Sequence, residues 1–301
     1  MSVVRGGGAT GEAQTTVNFQ YDANGNLTAD GTYAYTYGPL NRLVAVRSAA
    51  TNQLVAQYFY DASGQRAAKI TYTSGTASAY TQYLRNGSAV VLERTWSLPG
   101  PTAQSEKVYV YVAGTMAVTR QTTYATSSTT YTYYAVDHLG TVRATATVDS
   151  SGNYTAQGTV IHDFEPFGVE IAPTEPDGNT HDFTGQERDP ETGNDYMHFR
   201  SFESAMGRFM RPDNINGTAM NPQSWNLYSY VHGNPVTFND PTGHLGSIEH
   251  GGTQINPDVG VGEPSSPWNQ RFKMVDPLNV TVRPSSKSSQ QPETDMQRWG
   301  D

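Results

Sequence analysis

The acids Glu187, Asp189 and Glu191 alternate around Arg188, a pattern from which a pair of glycosidase carboxylates could be drawn. Sequence spacing fixes no carboxyl separation, so a solvated hairpin end is the expectation. Asp213 follows Pro212 and Asp240 precedes Pro241, both positions where aspartate caps turns, and Arg200 is a cation that could pair with such a carboxylate. The seven histidines, at 138, 162, 181, 198, 232, 244 and 250, have no HExxH or comparable ligand spacing. They read as scattered turn and surface residues, with no metal and no cofactor expected. Gly6-Gly7-Gly8 lacks the strand, lysine and helix of a phosphate loop.

The elements that position these residues follow from composition. Nineteen tyrosines, 29 glycines and much threonine and serine favour extended strands joined by tight turns, so the fold class is all-β. No cysteine is present, which leaves packing and strand pairing to supply stability. A net charge of -9 without a basic stripe argues against nucleic acid, whose binding needs clustered Lys and Arg. No stretch approaches the length of a membrane span, and the first residues lack the apolar run of a signal peptide.

Residues 19 to 160 repeat one grammar of short aromatic or β-branched run, polar turn and second run, which is a ladder of hairpins. Three segments align: Tyr21-Asp22-Ala23-Asn24-Gly25-Asn26-Leu27, Tyr37-Gly38-Pro39-Leu40-Asn41-Arg42-Leu43 and Tyr60-Asp61-Ala62-Ser63-Gly64-Gln65-Arg66. In the first, Asn24-Gly25 offers positive φ for a primed hairpin turn, and Asp22 can bond the backbone two residues on. Tyr33, Tyr35 and Tyr37 fall at period two and share one strand face, as do Tyr58 with Tyr60 and Tyr109 with Tyr111. The low-complexity run Thr119 to Tyr134 is built of strand formers and reads as a hairpin.

Further on, Asn221-Pro222-Gln223-Ser224-Trp225 reads as a short helix start, with Asn221 capping, Pro222 at the first helical position, and Trp225 and Tyr228 packing inward. The chain then divides into a Gly-rich, structureless lead-in (1–17), a β-repeat segment (18–179), a core or plug segment (180–244), and a proline-rich, largely disordered tail (245–301).

The Tyr-Asp-x-x-Gly units resemble the YD repeats of RHS proteins, Tc toxin C components and teneurins. Asp137-His138-Leu139-Gly140-Thr141-Val142-Arg143 and Phe164-Glu165-Pro166-Phe167-Gly168 look like the landmarks that precede the RHS-associated core. Blocks similar to that core follow in order: Phe183-Thr184-Gly185-Gln186-Glu187-Arg188-Asp189-Pro190-Glu191-Thr192-Gly193, Arg200, Gly207-Arg208-Phe209-Met210-Arg211-Pro212-Asp213, Asn226-Leu227-Tyr228 and Asp240-Pro241-Thr242-Gly243-His244. The resemblance implies a strip of β-hairpins spiralling into a shell, with the core as its plug and a variable C-terminal segment enclosed or released.

It also implies chemistry. In toxin members the core cuts its own chain after a DPxGL motif with an aspartyl-protease-like pair, which here maps to Asp213 and Asp240 with Arg200 beside them. One carboxyl would hold a proton to polarise the scissile carbonyl while the other activates water, and a guanidinium could hold the developing oxyanion. The cut would fall between His244 and Leu245, with the departure that His244 stands where leucine is usual. The expected function is therefore an encapsulating plug module of a bacterial polymorphic-toxin protein that acts once on its own chain. The alternative is a noncatalytic cell-surface adhesion or carbohydrate-binding β protein. The partners implied are its own C-terminal segment, a remaining shell polypeptide, an immunity protein, or in the alternative a cell-surface glycan. A secreted or cell-surface location is implied by family alone.

Overall fold

The computed structural model describes residues 2–5, 15–100, 102–171, 177–215, 217, 219, 221–244, 249–250 and 253–254. The chain divides into two compact units, Met1–Gly260 and Val261–Asp301, and every described residue belongs to the first. Strand β1 (Ser2–Arg5) pairs with β2 (Thr15–Asn18), so those parts of the expected lead-in are extended and paired. Expectations for Leu245 and for most of the tail fall outside the described residues.

Thirteen strands then form one antiparallel meander in strict chain order. They are β3 (Gln20–Tyr21), β4 (Leu27–Ala29), β5 (Tyr33–Tyr37), β6 (Leu43–Ser48), β7 (Leu54–Tyr60), β8 (Arg66–Thr73), β9 (Thr76–Asn86), β10 (Ala89–Ser97), β11 (Thr102–Val112), β12 (Thr115–Thr123), β13 (Ser128–Val136), β14 (Val142–Asp149) and β15 (Tyr154–Ile161). The hairpin expected over Thr119 to Tyr134 is the β12–β13 pair. No helix among the described residues is long and apolar enough to cross a membrane.

Aspartate sets the turns. Asp22 Oδ1 accepts the backbone N–H of Asn24 and of Asn26, both at 2.9 Å. Asp61 does the same for Ser63 and Gln65, Asp137 for Leu139 and Thr141, and Asp149 for Ser151 and Asn153. In each case the glycine three residues on takes φ of +80 to +86°, a conformation that only glycine enters without steric cost. The Asn24-Gly25 turn thus differs from a two-residue primed turn. Gly25 alone of the pair has positive φ, and the aspartate oxygen supplies the acceptor that a shorter loop would take from backbone. Asp137-His138-Leu139-Gly140 uses the same device, although no tyrosine precedes it.

Between turns the strands alternate faces. One cross-strand row reads Tyr58, Lys69, Thr81, Thr95, Ser105 and Thr123 in direct register. This face is polar towards the later strands and tyrosine-rich towards the earlier ones. It lines a trough of about 760 Å³ together with Gln121, Thr132 and Thr147. Three clusters form the core: Phe19, Leu27, Tyr35, Leu43, Val46, Ala56 and Tyr58 on the early strands, Tyr83, Val90, Tyr109, Met116 and Val142 on the middle ones, and a third in the segment that follows the sheet.

That end segment forms a small sheet of β16 (Glu187–Asp189), β17 (Asn194–Met197), β18 (Arg200–Glu203) and β19 (Arg208–Phe209), with 3-10 turns at Phe183–Gly185, Pro222–Trp225 and Val231–Gly233. Its own core is Phe183, Met197, Phe202, Phe209, Tyr230 and Val231. Met210 crosses into the early-strand cluster. The Pro222 turn lacks a side-chain cap from Asn221, and Trp225 is 59% exposed instead of packed inward, because this single 3-10 turn buries Ser224 and leaves its neighbour Trp225 on the outer side.

Contacts from the end segment reach both extremes of the meander. Tyr228 Oη donates to the Gly25 carbonyl at 2.7 Å, and Asn239 Nδ2 donates to the Leu139 carbonyl at 3.2 Å. A strip whose early and late turns touch one small segment must curve around it.

Candidate functional site

Two polar constellations are buried where the end segment meets the sheet. The first carries the alternating acids. Arg66, fully buried on β8, makes a two-pronged contact with Asp189, with Nη1 to Oδ1 at 2.6 Å and Nη2 to Oδ2 at 2.8 Å. Its guanidinium lies between the rings of Tyr58 and Tyr196, 4.2 and 4.1 Å from their centroids. Lys69 Nζ stands 3.2 Å from Asp189, 3.6 Å from Glu187 and 3.6 Å from Glu191.

Glu187 and Asp189 are thus buried, at 4% and 2% exposure, and do not form a solvated hairpin end. The reason is tertiary: two cations from a strand 120 residues away neutralise them. Burial pushes the Glu187 carboxyl up, but Arg66 and Lys69 outweigh it and hold the group at about 2. The Glu191 carboxyl is raised, by burial first and then by Asp189. Every acid is engaged with a cation or tyrosine, which is the arrangement of a fastening and not of a glycosidase pair. Arg66, Lys69 and Tyr83, whose Oη donates to Glu187, were not singled out from sequence. The signal for Lys69 was a cation in a cross-strand row that otherwise carries threonine and serine.

The second constellation gathers the expected chemistry. Arg200 opens β18 and is 2% exposed. Its Nη2 lies 3.0 Å from Asp213 Oδ2 and 3.4 Å from Asp240 Oδ2, so one guanidinium nitrogen faces both carboxylates. Nε donates to the Gly243 carbonyl, and Nη1 donates to the Leu227 carbonyl at 3.0 Å. Its face stacks on Phe209 at 3.5 Å. Burial draws the guanidinium below its ordinary value, against the opposing pull of Asp213 and Asp240. The charge itself persists, as for arginine generally.

Asp240 also caps the turn of its own motif. Its Oδ1 accepts N–H bonds from Thr242, Gly243 and His244 at 3.3, 2.8 and 3.1 Å. Gly243 has φ of +74°, and a Cβ there would run into the Met197 carbonyl oxygen, so backbone approach and turn shape both demand glycine. Asp213 Oδ1 accepts the Ile215 N–H at 3.1 Å and lies 3.2 Å from His244 Nδ1. Arg200, Asp213, Asp240 and His244 therefore converge, while Leu245 lies outside the described residues. Phe199 and Arg211 belong to the site and were missed from sequence. The Phe199 ring centroid lies 4.1 Å from that of His244 with the planes tilted by 36°, and Arg211 donates to the Phe199 carbonyl.

The histidines are less superficial than their spacing suggested. His162 is buried between Glu170, 2.8 Å from Nδ1, and Asp177, 3.2 Å from Nε2. These two acids raise it to about 9. Burial lowers His181, and burial with Arg85 lowers His198 to about 4, which favours the neutral ring in both; His198 Nδ1 lies 2.9 Å from Gln65 Oε1. Among the described residues no group of histidines and acids has the geometry to hold a metal ion.

A long antiparallel strip of aspartate-capped hairpins, curved around an end segment that buries an arginine between two acids, defines an RHS-type β-repeat shell segment. The teneurin YD-shell family matches over residues 12–236, and the chain belongs to that family. It is 30% identical over 228 residues to the tRNA3(Ser)-specific nuclease WapA of Bacillus spizizenii, which covers 75% of this chain and 9% of that protein. It is 28% identical over 265 residues to the double-stranded DNA deaminase toxin A of Burkholderia cenocepacia, covering 80% of this chain and 18% of that one. The chain thus spans under a fifth of these relatives. The solved TcdB2-TccC3-TEV structure shares the fold with a TM-score of 0.58 at 20% identity, over 76% of this chain and 12% of that one. TcdB2-TccC3 without its hypervariable C-terminal region gives 0.58 at 20% identity, over 78% and 12%.

Proposed function

We propose that this chain is the closing segment of an encapsulating toxin shell, and that its end segment cuts the chain once, after His244. The observation that carries this reading is the single Arg200 nitrogen facing both Asp213 and Asp240 beside the Gly243 carbonyl. In the reaction, one carboxyl takes a proton from water as the oxygen attacks the His244 carbonyl carbon. The other donates its proton to the leaving nitrogen of Leu245, giving a new carboxyl and a new amine. Arg200 holds the motif and screens the two acids from one another.

The names of the nuclease and deaminase relatives favour a toxin setting, in which the released segment is the cargo and the remaining shell polypeptide and an immunity protein are partners. Intact-mass measurement of the purified chain tests the reading. A fragment ending at His244, absent in Asp213→Asn and Asp240→Asn chains, supports it; one uncut species from the unaltered chain leaves a passive shell.

A glycan-binding reading rests on one specific feature. Ile70, Tyr80 and Trp96 align across β8, β9 and β10, and with Leu98 they line an apolar hollow of about 350 Å³, with Tyr80 and Trp96 ring centroids 5.4 Å apart. Such an aromatic platform suits the flat face of a sugar ring. Glycan-array binding by the unaltered chain, lost in Trp96→Ala, would favour it.

A further inference from the structure

Position 244 carries a histidine that is held by three contacts, two through its ring and one through its backbone. Its ring lies 4.1 Å from that of Phe199, its Nδ1 is 3.2 Å from Asp213 Oδ1, and its backbone N–H bonds Asp240 Oδ1 at 3.1 Å. The Phe199 backbone is itself fixed. Its N–H donates to the Thr242 carbonyl at 3.1 Å, and Arg211 holds its carbonyl. On the sheet side, Arg42 stacks its guanidinium 4.7 Å from the Phe199 centroid and donates from Nη1 to the His198 carbonyl at 2.8 Å.

Arg42 comes from the Tyr37-to-Leu43 repeat, 156 residues away from His198. The stack of Arg42, Phe199 and His244 therefore links a turn of the shell to the residue next to the proposed cut.

We infer that Phe199 and Asp213 form a recognition pocket that reads a histidine at position 244, and that Arg42 of the shell is the positioning residue that holds the pocket's floor. The inference rests on the self-processing proposed above. A flat ring with an N–H donor satisfies both walls at once. Leucine offers neither the donor nor the flat face, and a site built around a hydrogen bond discriminates strongly against a side chain that lacks it. Because the floor comes from end segment and shell together, correct placement of the bond requires the shell hairpin to be formed first. Misplacement of reacting groups by about 1 Å costs on the order of 100-fold in rate.

The test measures self-processing of the full chain by intact mass over time, together with proton NMR of the His244 ring in histidine-labelled protein. His244→Leu and Phe199→Leu are expected to process at least about tenfold more slowly than the unaltered chain. His244→Asn, which keeps a donor near the place of Nδ1 but loses the ring that packs on Phe199, should process at a rate between those of His244→Leu and the unaltered chain. Arg42→Ala should be slow and Arg42→Lys partly restored, a rescue that a general loss of folding would not produce. The ring protons of His244 should sit upfield in the unaltered chain and move back in Phe199→Leu or, should that variant not fold, in Arg42→Ala. Unchanged rates in His244→Leu and Phe199→Leu overturn the inference while the processing itself stands. If even the unaltered chain is never cut, the processing reading fails; the ring shift then decides the pocket, an unmoved signal overturning it and a moved one upholding it.

Discussion

Arg66 and Asp189 are joined by two parallel contacts of 2.6 and 2.8 Å across 123 residues of sequence, with Arg66 fully buried between two tyrosine rings. This pair and its neighbours tie the end segment to strand β8, and removal of one member leaves charge without its counterpart in a dry interface. Asp189→Asn is expected to lower unfolding stability by about 3–5 kcal/mol. The double change Arg66→Met with Asp189→Leu should recover most of that loss, since it removes one cation and one acid together and leaves Lys69 facing Glu187 at 3.6 Å. Equilibrium urea denaturation of the three chains checks both statements.

The His162 cluster predicts a pH dependence on the alkaline side. The folded chain holds this imidazole at about 9, against 6.5 for the ordinary group, through Asp177 and Glu170. Its folded value is raised, so its contribution is fully present below pH 6.5 and disappears as pH climbs through about 9. Asp182 is raised to about 6, chiefly by burial, so its neutral form is favoured and its cost enters between its ordinary 3.8 and about 6. His162→Gln should lower the melting temperature at pH 6 and leave it nearly unchanged at pH 10. Equal loss at both values would show that His162 acts by packing alone.

Glu187 works in the opposite sense. Held at about 2 against an ordinary 4.5, it contributes stability above pH 4.5 that is lost as pH falls through about 2. Glu187→Gln should therefore narrow the stability difference between pH 6 and pH 3. Thermal melts at the two pH values measure that difference directly.

Gly243→Ala combines a positive φ with a clash against the Met197 carbonyl oxygen. The expected cost exceeds about 1 kcal/mol, because the native backbone is incompatible with a Cβ. The same substitution at Gly152, which also has positive φ but open space around it, should cost less. Comparison of the two chains by chemical denaturation separates clash from backbone strain.

Among the described residues the meander ends at β3 and β15, each with one hydrogen-bonded neighbour. On β15, Tyr154 is 69% and Ile161 58% exposed. An apolar edge with unused backbone groups invites a further strand. Ile161→Lys should reduce concentration-dependent self-association, read by static light scattering, without shifting the melting temperature.

The sequence alone determined what is local. Tyr21-Asp22, Tyr60-Asp61 and Asp137-His138-Leu139-Gly140 specify turns because an aspartate oxygen and a glycine at fixed offsets are sufficient to shape them. Alternation of Tyr33, Tyr35 and Tyr37 specifies a strand face because side-chain direction has period two. The order of the core blocks, matched as a family resemblance, brought Arg200, Asp213 and Asp240 forward as a set. The tertiary structure decided what depends on distance in the chain. Glu187 and Asp189 look like a solvated tip until Arg66 and Lys69 arrive from β8 and pay for their burial. Phe199 and Arg42 join the site only through a contact between repeat and end segment, and Trp225 faces outward because its single turn buries Ser224 instead. Coulombic pairing and desolvation act through space, and one chain carries no record of which distant strands will supply the partner.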